Sequence, residues 1–184
     1  MTSLKNNLLI AMPNIHDATF DRTVTLVCMN DEKGSFGITI NRPIDIPFAD
    51  VFEQLKLSSD NKELNEKMTL LGGPVESGQG YVLHDGGTRW QNTLAITDNL
   101  SVTSSRDILE DIVLDNGPEN FLIALGCANW APQQLENELM SNTWLTAPVD
   151  TSILFELPYQ QRWEASAKSI GVDLNRISYQ VGNA

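Results

Sequence analysis

Soft and nucleophilic side chains are scarce in this chain of 184 residues: two cysteines, Cys28 and Cys127, and two histidines, His16 and His84. The cysteines lie far apart and make no disulfide framework, which suits a reducing compartment and places the protein in the cytoplasm. None of the four stands at a ligand spacing such as Cys-x-x-Cys or His-x-x-x-His, so no metal site is expected. Basic residues are few as well. There are 12 Lys and Arg against 24 Asp and Glu, a net charge of −12, and no Lys/Arg cluster. Nucleic-acid binding depends largely on neutralising phosphates, so nucleic acid is not an expected partner. Apolar runs are too short to span a bilayer. Lys5 is followed by no extended apolar stretch of the secretory kind.

What remains is an ordinary globular composition, 41% hydrophobic and 20% charged. Residues 8–12 read as a strand stopped by Pro13. In the next strand Val24, Leu26 and Cys28 face one way, and Thr23, Thr25 and Val27 the other. Phe36, Ile38 and Ile40 alternate in its hairpin partner, across a loop read as longer than a two-residue turn. Phe48, Val51, Phe52 and Leu55 form one helical stripe. The polar stretch 58–67 reads as a surface loop.

Strands follow around a glycine-rich bend, then a hairpin turning at Asp98-Asn99. Ser104 with Asp107 resembles a capping box for the next helix. Phe121 to Leu125 is the most apolar strand and is expected to be central. A helix begins near Pro132, with Leu135 and Leu139 inward. The last helix runs from Pro158 to Gly171, with Trp163, Ala167 and Ile170 as its stripe. The tail 178–184 has no strong pattern. Paired strands with irregularly placed helices define an α+β fold with a mainly antiparallel sheet.

The motifs are thin. "LGGPVESGQG" lacks the Gly-Lys-Ser/Thr of a P-loop and fails Gly-x-Gly-x-x-Gly, so its glycines are read as bends. No Gly-x-Ser-x-Gly occurs, and the Ser-x-x-Lys at Ser59 is a chance match in a polar loop. "LIALGCANW" has the layout of a nucleophile elbow, with Cys127 after Gly126. A cysteine nucleophile needs a base or a positive field. The helix start near Pro132 is one source of such a field, but burial as a small hydrophobe is the commoner fate of free cysteine. Arg22 beside Asp21 and Asp17 is either a surface ion pair or a loop anchor and anion ligand. Trp130, Gln134 and Asn142 either share a pocket rim, or Trp130 and Trp144 are core anchors.

The stretches "LLIAMP", "FDRTVTLVC", "GITINRP", "LGGPV", "GYVLHD", "VTSSRDILEDI", "LIALGCANWAPQQLENEL" and "NTWLTAP", in this order, resemble the AlgH/YqgE family of bacterial proteins. The resemblance implies a single AlgH-like domain over residues 1–184. It implies an α+β fold, a mainly antiparallel branched sheet forming a pseudo-barrel with helices packed outside. No biochemical activity is established for the family, and since the sequence shows no triad, no cofactor loop and no metal set, no catalytic residues, no cofactor and no metal are expected. The label of transcriptional regulator travels with the family, but no DNA-binding motif supports it here. Relatives often carry tyrosine at the position of Cys127. They commonly read Cys-Glu-His where this chain has Cys28-Met29-Asn30, and Gly-His-Ala where it has Gly182-Asn183-Ala184.

The residues that carry the resemblance nominate a ligand or interaction pocket: Arg22, Asn41, His84, Gln134, Glu136 and Asn142, shaped by Pro13, Phe20, Pro43, Gly73 and Trp130. The expectation is a non-enzymatic binding or accessory regulatory protein with a protein or small-molecule partner. The alternatives are a thiol-dependent or hydrolytic enzyme using Cys127 and His84, and a regulator contacting DNA.

Overall fold

The structure is a computed structural model that describes residues 3–15 and 17–174. His16 and the tail beyond residue 174 lie outside the described residues. In chain order the elements begin with strands β1 (Asn7–Ala11), β2 (Val24–Asp31), β3 (Gly34–Thr39) and β4 (Pro43–Pro47). Helices α1 (Phe48–Gln54) and α2 (Lys62–Glu66) follow, then β5 (Met68–Leu71), β6 (Val75–His84), β7 (Thr93–Thr97) and β8 (Leu100–Thr103). The second half holds α3 (Asp107–Val113), β9 (Phe121–Trp130), α4 (Gln134–Met140), β10 (Trp144–Pro148), α5 (Thr151–Phe155) and α6 (Arg162–Lys168).

These strands form one 10-stranded sheet, mixed only where β5 runs parallel to β9. Its main path is β10-β1-β2-β3-β9-β6-β8-β7, with β5 on β9 and β4 on β5. Among the described residues no pairing joins β10 to β7, so the sheet curls but stays open.

The branch lies in β9, and its cause is glycine. On one edge of β9, Ala124 and Leu125 pair with Leu70 and Leu71 of β5. Further along that edge, Ala128 to Trp130 pair with Ser35 to Gly37 of β3. Gly126 stands between the two partners with φ +74°, a backbone state open to glycine at little cost. A Cβ there would sit 2.7 Å from the Gly73 carbonyl oxygen, and one on Gly73 would sit 2.1 Å from the Cys127 carbonyl carbon. The two strand ends therefore cross where neither has a side chain. The strand does not stop at Gly126, as an elbow requires. It continues through Cys127 to Trp130.

Apolar residues fill both faces of the sheet. Ile10, Leu26, Ile38, Leu83, Ala124 and Cys127 belong to the inner cluster, which Leu154, Trp163 and Ala167 of α5 and α6 complete. Phe48 and Phe52 of α1 and Ile108 and Ile112 of α3 cover Val82 and Ile123. Leu135 of α4 covers Leu9, Val27 and Ala128 with Trp130 and Trp144. Burying each large apolar side chain contributes about 1.5–3 kcal/mol before entropy is charged.

Three sequence expectations change. The β2–β3 loop is a two-residue turn, because Asp31 pairs with Gly34 and a bulge at Cys28 shifts the register. The stretch 58–67 contains α2. Asn61 caps it, its side chain accepting the Leu64 N–H at 3.1 Å, and Leu64 is buried. Ser104 does not cap α3. The Ser105 hydroxyl donates to Asp107 at 2.5 Å, and the same carboxylate accepts the Gln91 N–H at 2.8 Å, tying α3 to the start of β7.

Candidate functional site

Cys127 lies fully buried on β9, opposite Val75 of β6. Residues 76–79 bulge out of β6 here, and Glu76 holds φ +50°. The Glu76 carboxylate turns back over the thiol. Oε2 accepts the Tyr81 hydroxyl and the Cys127 thiol, the latter at 3.8 Å. Burial pushes the Cys127 pKa up; the Tyr81 hydroxyl opposes this, and the Glu76 charge and hydrogen bond add to the rise. The Tyr81 hydroxyl is shifted upward by the same burial and carboxylate. Cys127 is therefore a thiol held in its neutral form, the opposite of an activated nucleophile.

His84 is fully buried and occupies the other end of the same ladder, opposite Phe121. Six positions of β9 separate the two sites, about 20 Å at strand rise. The enzyme reading that joined Cys127 to His84 is thus corrected: strand register holds thiol and imidazole apart. The His84 ring meets the Asp85 carbonyl at Nδ1 and Thr103 Oγ1 at Nε2, the latter at 2.7 Å, and Trp90 packs on it edge to face at 4.9 Å. Burial lowers its pKa, and the Asp85 carbonyl partly offsets this. The two cysteines do not pair either. β3 lies between β2 and β9, placing their backbones about 10 Å apart, two strand spacings, beyond disulfide reach. Burial drives the Cys28 pKa strongly up.

The remaining nominated residues divide into separate groups. Asn41 is a backbone brace: its side chain accepts the Val24 N–H at 2.8 Å and donates to the Arg22 carbonyl at 2.9 Å. Arg22 is exposed, with φ +52°, and its guanidinium lies 5.4 Å from the Trp163 ring centre. The arginine that anchors the preceding loop is Arg42, which donates to the carbonyls of Ala18 and Thr19.

Trp130, Gln134, Phe20 and Glu138 form a second group. Glu138 Oε2 accepts both indole N–H groups, Trp130 at 2.9 Å and Trp144 at 2.8 Å, while Oε1 accepts Gln134 Nε2 at 2.9 Å. Phe20 packs edge to face on Trp144 at 5.4 Å. Glu136 accepts Asn30 Nδ2 at 3.0 Å in an acidic cleft with Asp31 and Glu32. Asn142 is exposed with φ +55°, in the left-handed position after α4, beside a shallow cleft with Asn14 and Asp17. Pro13 is half-buried after β1 and Pro43 is exposed in β4. Gly73 makes the crossing with β9.

Sequence reasoning missed Glu76, Tyr81, Glu138 and Arg162. Arg162 is 2% exposed. It donates to the Ile40 carbonyl and, at 3.0 Å, to the Leu157 carbonyl, and burial lowers its pKa to about 10. Among the described residues no group of three or more His, Cys, Asp and Glu is arranged to hold a metal ion, and no helix is long and apolar enough to cross a membrane.

An open branched sheet of this order, with its glycine crossing, defines a class of α+β protein, and the comparisons identify it. The AlgH-like family model matches residues 8–175, and the chain belongs to that family. It is 44% identical over 184 residues to a "UPF0301 protein" of Nitrosococcus oceani, covering 100% of this chain and 98% of that one. A "UPF0301 protein" of Legionella pneumophila is likewise 44% identical, with the same coverage of 100% and 98%. The solution structure of the AlgH protein from Pseudomonas aeruginosa superposes with a TM-score of 0.82 at 42% identity, over 100% of this chain and 97% of that one. A crystal structure of a protein from Corynebacterium diphtheriae has the same fold, with a TM-score of 0.77 at 19% identity, over 97% and 92% of the two chains.

Proposed function

We propose that this chain is a non-enzymatic binding or accessory regulatory protein, acting in the cytoplasm as one domain over residues 1–184. The observation that carries this reading is the separation of Cys127 and His84 on the β6–β9 ladder. Each is buried in its own hydrogen-bonded surroundings, so thiol and imidazole serve the fold. Of the nominated pocket residues, Arg22, Pro43, Gln134 and Asn142 are exposed and open to a partner. Asn41, Gly73 and Trp130 hold the surface in shape. The net charge of −12 works against direct DNA contact.

The test is isolation under native conditions with identification of what copurifies. A stoichiometric partner is expected. Reproducible small-molecule turnover without a stable partner contradicts the reading. A gel shift at low salt is expected to show no binding to promoter DNA, and a shift with steep salt dependence contradicts that part.

A further inference from the structure

One cleft differs in chemistry from the others. It lies between α1, the start of α3 and the Gly78–Tyr81 arm of β6, with a volume of about 280 Å³. Its floor is aliphatic: Val51, Leu55, Val82, Leu109, Ile123 and Leu125. No described residue lining it carries a carboxylate, in a chain with 24 acidic residues. Clefts elsewhere are edged by Glu63 and Asp115, by Asp85 and Asp98, by Asp31 and Glu32, or by Asp17. The charged group on this rim is Arg106, whose side chain is 50% exposed. It meets Glu110 through Nε at 2.7 Å, which leaves the terminal nitrogens of the guanidinium fork as further donors.

The second observation concerns two glycines. Gly78 and Gly80 line this cleft, yet neither has positive φ and a Cβ on either would meet nothing within 4 Å. Gly73 and Gly126 are required by the crossing strands, but the fold makes no such demand at 78 and 80. Gly78 lies in the β6 bulge, a common place for glycine, whereas Gly80 pairs in register with Leu125, and glycine at such a strand position is one mark of a place where a ligand or another backbone comes close. Beyond Val82, which pairs with Thr103, the chain after β8 turns off into α3, so among the described residues this arm of β6, paired with β9 along one edge at Gly80 and Tyr81, has no strand along its β8 edge. Side-chain amides and hydroxyls of Gln54, Gln79, Ser104 and Ser105 surround it.

We infer that this cleft is a docking groove for an extended aliphatic segment of a partner protein that carries a carboxylate. Aliphatic side chains of the segment fill the floor, its backbone lies against Gly78 and Gly80, and its carboxylate meets Arg106. A basic segment is disfavoured at this rim and would be drawn to the acidic clefts. The volume is at the small end of ligand pockets, roughly 300 Å³, so a few side chains fit and a large cofactor does not. This inference rests on the reading of the chain as a binding protein and names its partner's chemistry.

The experiment pans the full chain against a random heptapeptide phage library, then measures synthetic copies of the selected peptides by fluorescence polarisation. The expected peptides alternate aliphatic residues and include Asp or Glu. Gly80→Val is expected to weaken them at least about tenfold by filling the groove, while its melting temperature stays near wild type. Gly78→Val gives the same result by an independent route. Arg106→Glu is expected to shift selection from acidic to basic peptides. On titration, methyl resonances of Leu55, Leu109 and Leu125 move and those of Ile10 and Leu26 do not.

Peptides that bind Gly80→Val and Gly78→Val as tightly as wild type overturn the groove, as does a library with no enrichment or methyl shifts confined to other residues. A native partner that copurifies equally with wild type and both variants also overturns the groove and leaves the binding reading standing. Turnover without any partner removes the binding reading itself.

Discussion

The thiol of Cys127 lies 3.8 Å from Glu76 Oε2, on a carboxylate that also accepts the Tyr81 hydroxyl. This contact joins residues 51 positions apart and folds the β6 bulge over β9. A carboxylate beside a buried thiol opposes thiolate formation, so Glu76→Gln is expected to lower the Cys127 pKa without bringing it near neutrality. The S–H stretching band, followed by Raman titration, reads this directly. An unchanged midpoint in Glu76→Gln contradicts the contact.

His84 supplies a pH dependence. Its folded pKa is below the ordinary 6.5 because burial penalises the imidazolium. The unfolded chain therefore binds more protons than the folded one between these two values. The contribution is fully present above pH 6.5 and is lost as pH falls through the folded pKa. Urea midpoints are expected to fall from pH 7 to pH 5.5 in the wild type, and less steeply in His84→Gln. An equal slope in both contradicts the assignment.

Glu138 satisfies two buried indoles with one oxygen. Glu138→Ala leaves both N–H groups without that acceptor and is expected to cost on the order of 2–4 kcal/mol. Chemical denaturation measures the loss, and tryptophan emission should shift as the indole environments change. A loss under about 0.5 kcal/mol, typical of a surface substitution, contradicts the role.

The glycines of "LGGPVESGQG" and Gly126 of β9 should separate by position. Gly73→Ala drives a Cβ into the Cys127 carbonyl carbon at 2.1 Å, and Gly126→Ala meets the Gly73 oxygen at 2.7 Å. Each is expected to cost about 3 kcal/mol or more, as overpacking with backbone displacement does. Gly78→Ala meets nothing within 4 Å and is expected to leave the melting temperature within a few degrees of wild type. Thermal unfolding of the three variants decides it, and equal losses contradict the crossing.

The legible parts of the sequence were those with a local period. The alternation from Val24 to Cys28 and the stripe from Phe48 to Leu55 both name their buried faces. Helix α2 was not legible because KELNE spans five residues with a single apolar member, Leu64; the cap at Asn61 was its available signal. The length of β9 was hidden because Gly126 reads as a stop, and only the partner strands show that it is a crossing. Tyr81, Glu76 and Arg162 acquire their roles from distant chain. Arg162 and its acceptor Ile40 are 122 residues apart, a juxtaposition no spacing rule encodes. The nominated polar residues fall into separate groups for the same reason: family resemblance marks positions, while register decides which positions meet.

The central claim is that thiol and imidazole act as structural groups, at sites held apart by the β6–β9 register. The most direct measurement is the rate of iodoacetamide labelling of Cys127 against pH in native wild type and His84→Gln. The account predicts slow labelling in both, with no inflection near neutral pH and no effect of removing the imidazole. Rapid labelling with an inflection near neutrality that His84→Gln abolishes would contradict it.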